Sequence, residues 1–293
     1  MGADYIEPDL VITRDSILVA RHENEIGGTT DVATKFPARR TTKVVDGESI
    51  LGWCTEDFSL AELKTLRARE RLPFRSHARD GQEPIPTFEQ ILDLVERRSR
   101  ESGRRIGIYP ETKHPSYFRS IGRPLEEPLL AALARHNMVS ADAPVLIQSF
   151  EVANLRMLRG RTGVRLVQLI GATGGPGDAG WRRDVPRDFA SMLTDEGLSQ
   201  VAKYAYAIGV EKELVQPLDT RGALGPPTSL VADAHRARLA VHVWTLRRDA
   251  SFLPRGYLND PIAEWRHFAR LGVDGIFGDF PDDGVAACVV KRS

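Results

Sequence analysis

From residue 106 onward the sequence alternates between two hydrophobic periods, and this alternation restricts the fold more than any other feature. Short apolar runs end in polar or glycine-containing residues: Ile106–Glu111, Val145–Ser149, Val164–Leu169, Ala205–Gly209, Ala240–Leu246 and Val273–Phe277. Segments with helical character separate them: Leu125–His136, a stretch from Glu151, Asp188–Tyr204, Ser229–Leu239 and Pro261–Leu271. Strands that alternate with helices build parallel βαβ units, because parallel neighbours need a crossover long enough to bring the chain back. With the run Tyr5–Leu10 the pattern yields about seven core strands, where a (β/α)8 barrel has eight. The expected fold is therefore α/β, a TIM (β/α)8-type barrel lacking its first βα unit. Such a barrel is expected to leave two strand edges without partners.

The region before residue 106 is less regular. Ile17–Ala20 is a second apolar run and leads into Arg21-His22-Glu23. From Gly27 to Trp53 the sequence turns polar, and Asp46-Gly47 predicts a hairpin or loop. Ser59 with Glu62, and Thr87 with Gln90, have the spacing of helix capping boxes. Phe88, Ile91, Leu92 and Val95 then keep helical spacing. The whole chain, 1–293, reads as one domain, with 27–83 as an excursion from the main fold.

Charge narrows the partners. Forty basic residues balance forty acidic ones, so no global field recruits nucleic acid or an anionic membrane. No apolar run approaches membrane-spanning length, so membrane insertion is not expected. Cys54 and Cys288 lack metal-ligand spacing and read as free thiols, with a single disulfide between them the alternative. As written, the chain opens without a signal peptide and reads as cytoplasmic; a longer native N-terminus would make periplasmic export or secretion the alternative.

In a barrel of this type, reactive groups sit where strands end. Glu7 and Asp9 are two apart, and on a strand they point to the same side. Two neighbouring carboxylates repel unless a positive charge lies between them. Glu111 ends another strand, so three acids converge if the two strands are neighbours. Three carboxylates with no thiolate or imidazole cluster favour calcium or magnesium over zinc. Lys113, two residues beyond Glu111, would face the same mouth and suits a phosphate diester. His22 follows its own apolar run and is the candidate for proton transfer. Phe150 and Trp244, taken alone, read as core aromatics. His114 and His242 read as structural, Arg21, Arg39 and Arg40 as solvated charges, and Gly171–Gly180 as a barrel loop.

These segments together carry a resemblance. Ala3-Asp4-Tyr5-Ile6-Glu7-Pro8-Asp9-Leu10, Val19-Ala20-Arg21-His22-Glu23, Tyr109-Pro110-Glu111-Thr112-Lys113-His114-Pro115, Gln148-Ser149-Phe150, Val243-Trp244-Thr245 and Gly275-Ile276-Phe277-Gly278-Asp279-Phe280-Pro281 resemble the glycerophosphodiester phosphodiesterases, most closely the bacterial periplasmic type. The resemblance runs along essentially the whole chain. It implies a TIM barrel with a small insertion after the second barrel strand, matching 27–83. It implies metal ligation by Glu7, Asp9 and Glu111, with calcium favoured and magnesium the alternative, and proton transfer by His22. Lys113, Phe150 and Trp244 match positions that line the substrate pocket. The implied reaction hydrolyses a small-molecule glycerophosphodiester to glycerol 3-phosphate and an alcohol. The sequence departs from the family's pattern at its start, where a strand ending in His-Arg-Gly and then a Pro-Glu-Asn or Pro-Glu-His segment are expected; the family pattern has there a second histidine for proton transfer, a phosphate-contacting arginine and a further glutamate that helps at the metal. Gly278 stands where Ser or Thr is usual. Two expectations follow: a metal-dependent phosphodiesterase, or a catalytically impaired barrel that binds metal or phosphate ligands without efficient turnover.

Overall fold

In a computed structural model describing residues 1–180 and 182–288, two prolines interrupt the first paired strands without ending the pairing. The run expected as one strand over 5–10 is two pieces, β1 (Tyr5–Ile6) and β2 (Asp9–Ile12). β3 (Leu18–Ala20) returns antiparallel to β2, with Leu10 opposite Ala20. β4 (Thr41–Val45) and β5 (Glu48–Gly52) form the hairpin expected from Asp46-Gly47. Asp46 and Gly47 both take positive φ, 50° and 88°, the signature of the type I′ turn that matches strand twist. β6 (Gly107–Ile108) and β7 (Glu111–Thr112) are likewise parted by Tyr109-Pro110. β1 runs parallel to β6 and β2 parallel to β7. Across the breaks the ladder continues: Tyr109 N–H donates to Ile6 O (2.8 Å), Glu111 N–H to Pro8 O (3.0 Å) and Lys113 N–H to Leu10 O (3.1 Å). Pro8 and Pro110 have no N–H to give, so each strand breaks there, while the Pro8 carbonyl still accepts from Glu111.

These strands lie in the first of two compact units, Tyr5–Ile147 with Thr162–Val164. Both expected capping boxes form with both reciprocal bonds, at Ser59/Glu62 and Thr87/Gln90. The helix Phe88–Ser102 buries Phe88, Ile91, Leu92 and Val95, as its spacing requires. Leu10, Val11, Ile12, Ile108 and Phe118 are fully buried around the paired strands.

Gly107 is a close-approach position in this unit. A Cβ there would lie 2.3 Å from the Tyr5 ring and 2.7 Å from the Pro144 carbonyl oxygen. Gly107→Ala is therefore expected to destabilise the protein by about 1–3 kcal/mol, read as a melting temperature lowered by about 2–4 °C per kcal/mol. An unchanged melt would mean that ring and backbone separate freely at the β1–β6 pair.

The second unit comprises Met1–Asp4, Gln148–Arg161 and the chain from Arg165 onward. β8 (Leu146–Ser149) enters it, followed in sheet order by β9 (Arg165–Ile170), β10 (Ala207–Glu211), β11 (Ala240–Leu246) and β12 (Gly275–Gly278). β9 to β12 are parallel neighbours, with Val167 beside Ala207, Ala207 beside Ala240, and His242 beside Gly275. Helices Val152–Arg159, Asp195–Val201, Leu230–Arg236 and Pro261–Arg270 fall between successive strands, so this unit has the βαβ alternation read from the sequence. One expectation is corrected: 188–204 is not a single helix but two, Phe189–Met192 and Asp195–Val201. Asp188 caps the first and Thr194 the second, each accepting from a backbone N–H. Thr194, extended at ψ 160°, ends one helical path and starts another. Cys54 and Cys288 are free thiols, one buried and one exposed. No helix among the described residues is long and apolar enough to cross a membrane.

Candidate active site

The β2–β7 pairing sets Asp9 directly beside Glu111. Glu7, two residues before Asp9, joins them, and one oxygen from each carboxylate lies within 4.8 Å of the others. Glu111 is 6% exposed, while Glu7 and Asp9 are half-buried. Lys113 Nζ sits 3.1 Å from Glu111 Oε1. Burial pushes the Glu111 carboxyl up and the Asp9 charge adds to this; Lys113 opposes them, and the result is a pKa raised to about 7. For Lys113, burial works against the ammonium, but Glu111, Asp9 and Glu23 outweigh it and its pKa is raised. Such crowding of acids is costly for the protein alone. Three convergent carboxylate oxygens are the donor set of a hard divalent cation, and the residues present fit calcium or magnesium.

His22 lies just past β3 and is anchored by its neighbour, with Nδ1 2.9 Å from Glu23 Oε1. The same Glu23 oxygen is 3.9 Å from Lys113 Nζ. The other, Oε2, meets His114 Nε2 at 2.8 Å, and His114 Nδ1 meets Asp46 Oδ2 at 2.6 Å. Burial would raise the Glu23 carboxyl, but its bonds to His114 and His22 hold it well below the usual range. Burial would lower the His114 imidazole, but Asp46 and Glu23 raise it to about 9.

Phe150 and Trp244 fall in the second unit, at the ends of β8 and β11, and the structure brings them together. Their ring centroids are 5.8 Å apart, edge to face, and Phe150 stands 5.8 Å from Phe189. Gln168 Nε2 donates to the Phe150 carbonyl at 3.0 Å, and Tyr204 OH donates to Gln168 Oε1 at 2.8 Å, which fixes this loop. The Trp244 indole N–H is buried and has no partner among the described residues. His242, buried on β11, is pushed down to about 4 by burial and is neutral at physiological pH.

The model of the glycerophosphoryl diester phosphodiesterase family matches residues 1–283. The chain belongs to that family. It is 32% identical to a glycerophosphodiester phosphodiesterase of Arabidopsis thaliana, over 95% of this chain and 76% of that protein. It is 28% identical to one of Haemophilus influenzae, over 97% of this chain and 81% of that protein. Among solved structures, a putative glycerophosphoryl diester phosphodiesterase from Silicibacter pomeroyi aligns with TM-score 0.65 at 20% identity, covering 98% of this chain and 83% of that one. An Oleispira antarctica phosphodiesterase, solved with the product sn-glycerol-3-phosphate, aligns with TM-score 0.59 at 17% identity, covering 98% and 85%. These likenesses show the fold, a TIM-type barrel.

As a glycerophosphoryl diester phosphodiesterase family member, the chain is a phosphoric diester hydrolase. The structure groups Glu7, Asp9, Glu111 and Lys113 as the sequence reading grouped them. It ties His22 to Glu23 instead of to any of those acids directly. Sequence reasoning missed Glu23, Asp46 and Phe189 and left His114 aside. Glu23 carried one signal, its place beside His22; Asp46 carried only a turn signal. Arg21 differs from its reading as a solvated charge, for its Nε is buried with no partner among the described residues, and burial lowers its pKa.

Proposed function

We propose that the protein is a metal-dependent glycerophosphodiester phosphodiesterase, releasing glycerol 3-phosphate and an alcohol. The observation that carries this reading is the convergence of Glu7, Asp9 and Glu111 beside the buried ammonium of Lys113. The named relatives from Arabidopsis and Haemophilus, matched over nearly all of this chain, give the substrate class. Glu7, Asp9 and Glu111 would hold a divalent cation, calcium before magnesium, which when bound polarises a phosphate oxygen. Lys113 offsets charge on another phosphate oxygen. His22 moves a proton to or from the attacking or departing oxygen.

The test is an assay of purified protein on glycerophosphocholine after chelator treatment, then with calcium or magnesium added back. Glycerol 3-phosphate should appear with calcium and stop when the chelator returns. Calcium binding without any release of glycerol 3-phosphate would overturn the catalytic reading and leave a metal-binding barrel.

A further inference from the structure

We propose that Asp46, at the tip of the β4–β5 hairpin, is a positioning residue for His22, acting through His114 and Glu23. The inference rests on the reading of His22 as the proton-transfer group. Three contacts form one chain: Asp46 Oδ2 to His114 Nδ1 at 2.6 Å, His114 Nε2 to Glu23 Oε2 at 2.8 Å, and Glu23 Oε1 to His22 Nδ1 at 2.9 Å. An ionised carboxylate only accepts hydrogen bonds. An imidazole with a carboxylate at each nitrogen therefore donates from both, and His114 is a doubly donating bridge.

Both ends of this bridge are braced. His114 holds a left-handed backbone, φ 46°, a conformation that a non-glycine residue keeps only where its surroundings fix it. It directly precedes the helix Pro115–Ser120, whose Phe118 is fully buried. Tyr117 on that helix donates to buried Glu56 at 2.5 Å. The hairpin reaches the same acid: Lys43 on β4 lies 3.7 Å from Glu56 and 2.8 Å from Asp57. Asn24, two residues beyond His22, donates to Glu56 at 3.1 Å. One buried carboxylate thus fixes the hairpin, the His114 helix and the His22 segment relative to one another.

His22 needs such support. Its side chain is 64% exposed, so packing does little to set the ring. Accepting from Nδ1–H, Glu23 selects the tautomer that leaves Nε2 as the atom for proton transfer, as second carboxylates do in other acid–base sites. Glu23 has a competing partner, since the oxygen facing His22 is also 3.9 Å from Lys113 Nζ. The His114 bond on the other oxygen holds the carboxylate so that Oε1 stays with His22. Removing Asp46 frees His114 and, through it, Glu23.

The test compares the parent with Asp46→Gly, Asp46→Asn, Glu23→Gln and His22→Ala on glycerophosphocholine with saturating calcium. Gly and Asn both suit the first position of a type I′ turn, so the hairpin survives. Glu23→Gln should lower kcat about 10–100-fold and Asp46→Gly about 3–10-fold, by analogy with other supporting carboxylates. KM should stay within about twofold, because none of these groups is a uniform binding contact. Asp46→Asn, which keeps an acceptor, should recover part of the loss. Asp46→Gly should cost nothing further in the His22→Ala background, since coupled residues are non-additive. Additive losses would overturn the proposal. A second readout is independent of turnover: 15N NMR of the His22 ring should show the Nδ1–H tautomer in the parent and a shift away from it in Asp46→Gly. An identical His22 tautomer in both proteins overturns the proposal even if the parent is inactive. A tautomer shift in a parent without turnover supports the relay and overturns only the assigned reaction.

Discussion

Glu111→Ala is expected to lower kcat/KM on glycerophosphocholine by about 10³-fold or more, because the several kcal/mol a bound cation contributes convert at about 1.36 kcal/mol per decade of rate. Glu111 is the most buried of the three acids and sits in register beside Asp9. Its loss leaves two half-buried carboxylates that cannot enclose a cation on three sides. Lys113 keeps Glu23, at 3.9 Å, as a neighbour, so the fold should persist and the loss should be one of chemistry. Titration supplies a second readout. Glu111 has a pKa of about 7 against an ordinary 4.5. A group raised in this way contributes stability that is fully present below its unfolded value and is lost as pH rises through about 7. Metal-free parent protein therefore loses stability on this account between about pH 4.5 and 7. A cation that replaces the proton reverses the loss. The calcium-induced rise in melting temperature should be small at pH 5 and large at pH 8 in the parent, and nearly flat with pH in Glu111→Ala. An equal rise at both pH values in the parent would remove Glu111 from the ligand set.

The sequence made the elements legible wherever a local pattern decides them. The strand Ala240–Leu246 has the bounds its apolar run indicated. Ser59/Glu62 and Thr87/Gln90 close as capping boxes because every atom involved lies within one turn. Asp46-Gly47 turns the hairpin for the same reason. Local breaks interrupt longer patterns: prolines at 8 and 110 divide strands whose apolar patterns are continuous, and Thr194 divides one helical pattern into two helices. The carboxylate triad was legible as a set of residue types, but the register of Asp9 beside Glu111 depends on strands about a hundred residues apart, and no turn fixes it. The contacts of His114 with Asp46 and Glu23 span 68 and 91 residues. A turn residue and an acid beside a histidine carry no mutual periodicity, so only the folded chain reveals that they meet.

Lys113→Met is expected to have the second-largest effect, and it separates two roles of one ammonium. The side chain is 9% exposed and stands 3.1 Å from Glu111. The first, proposed, role is toward substrate, where loss of one fixed donor to developing charge is expected to cost about 10²–10³-fold in kcat. Its second is toward the acids, where it lowers the Glu111 pKa against burial and Asp9. Without it, Glu111 keeps its proton to higher pH, and the proton competes with the cation. Apparent calcium affinity at pH 7 should therefore fall in Lys113→Met and recover towards pH 9, whereas the kcat defect should persist at pH 9 with saturating calcium. Breaking a buried ion pair ordinarily costs about 3–5 kcal/mol. Methionine fills most of the volume, and Glu111 can neutralise itself by protonation, so the melt should shift by less than that figure suggests. Lys113→Arg offers the complementary case. It keeps the charge and should preserve the pH dependence of calcium binding. A planar guanidinium does not reproduce the point charge of an ammonium in a buried site, so kcat should remain depressed. Parent-like kcat in Lys113→Met at saturating calcium would confine Lys113 to the support of Glu111 and remove it from contact with the phosphate.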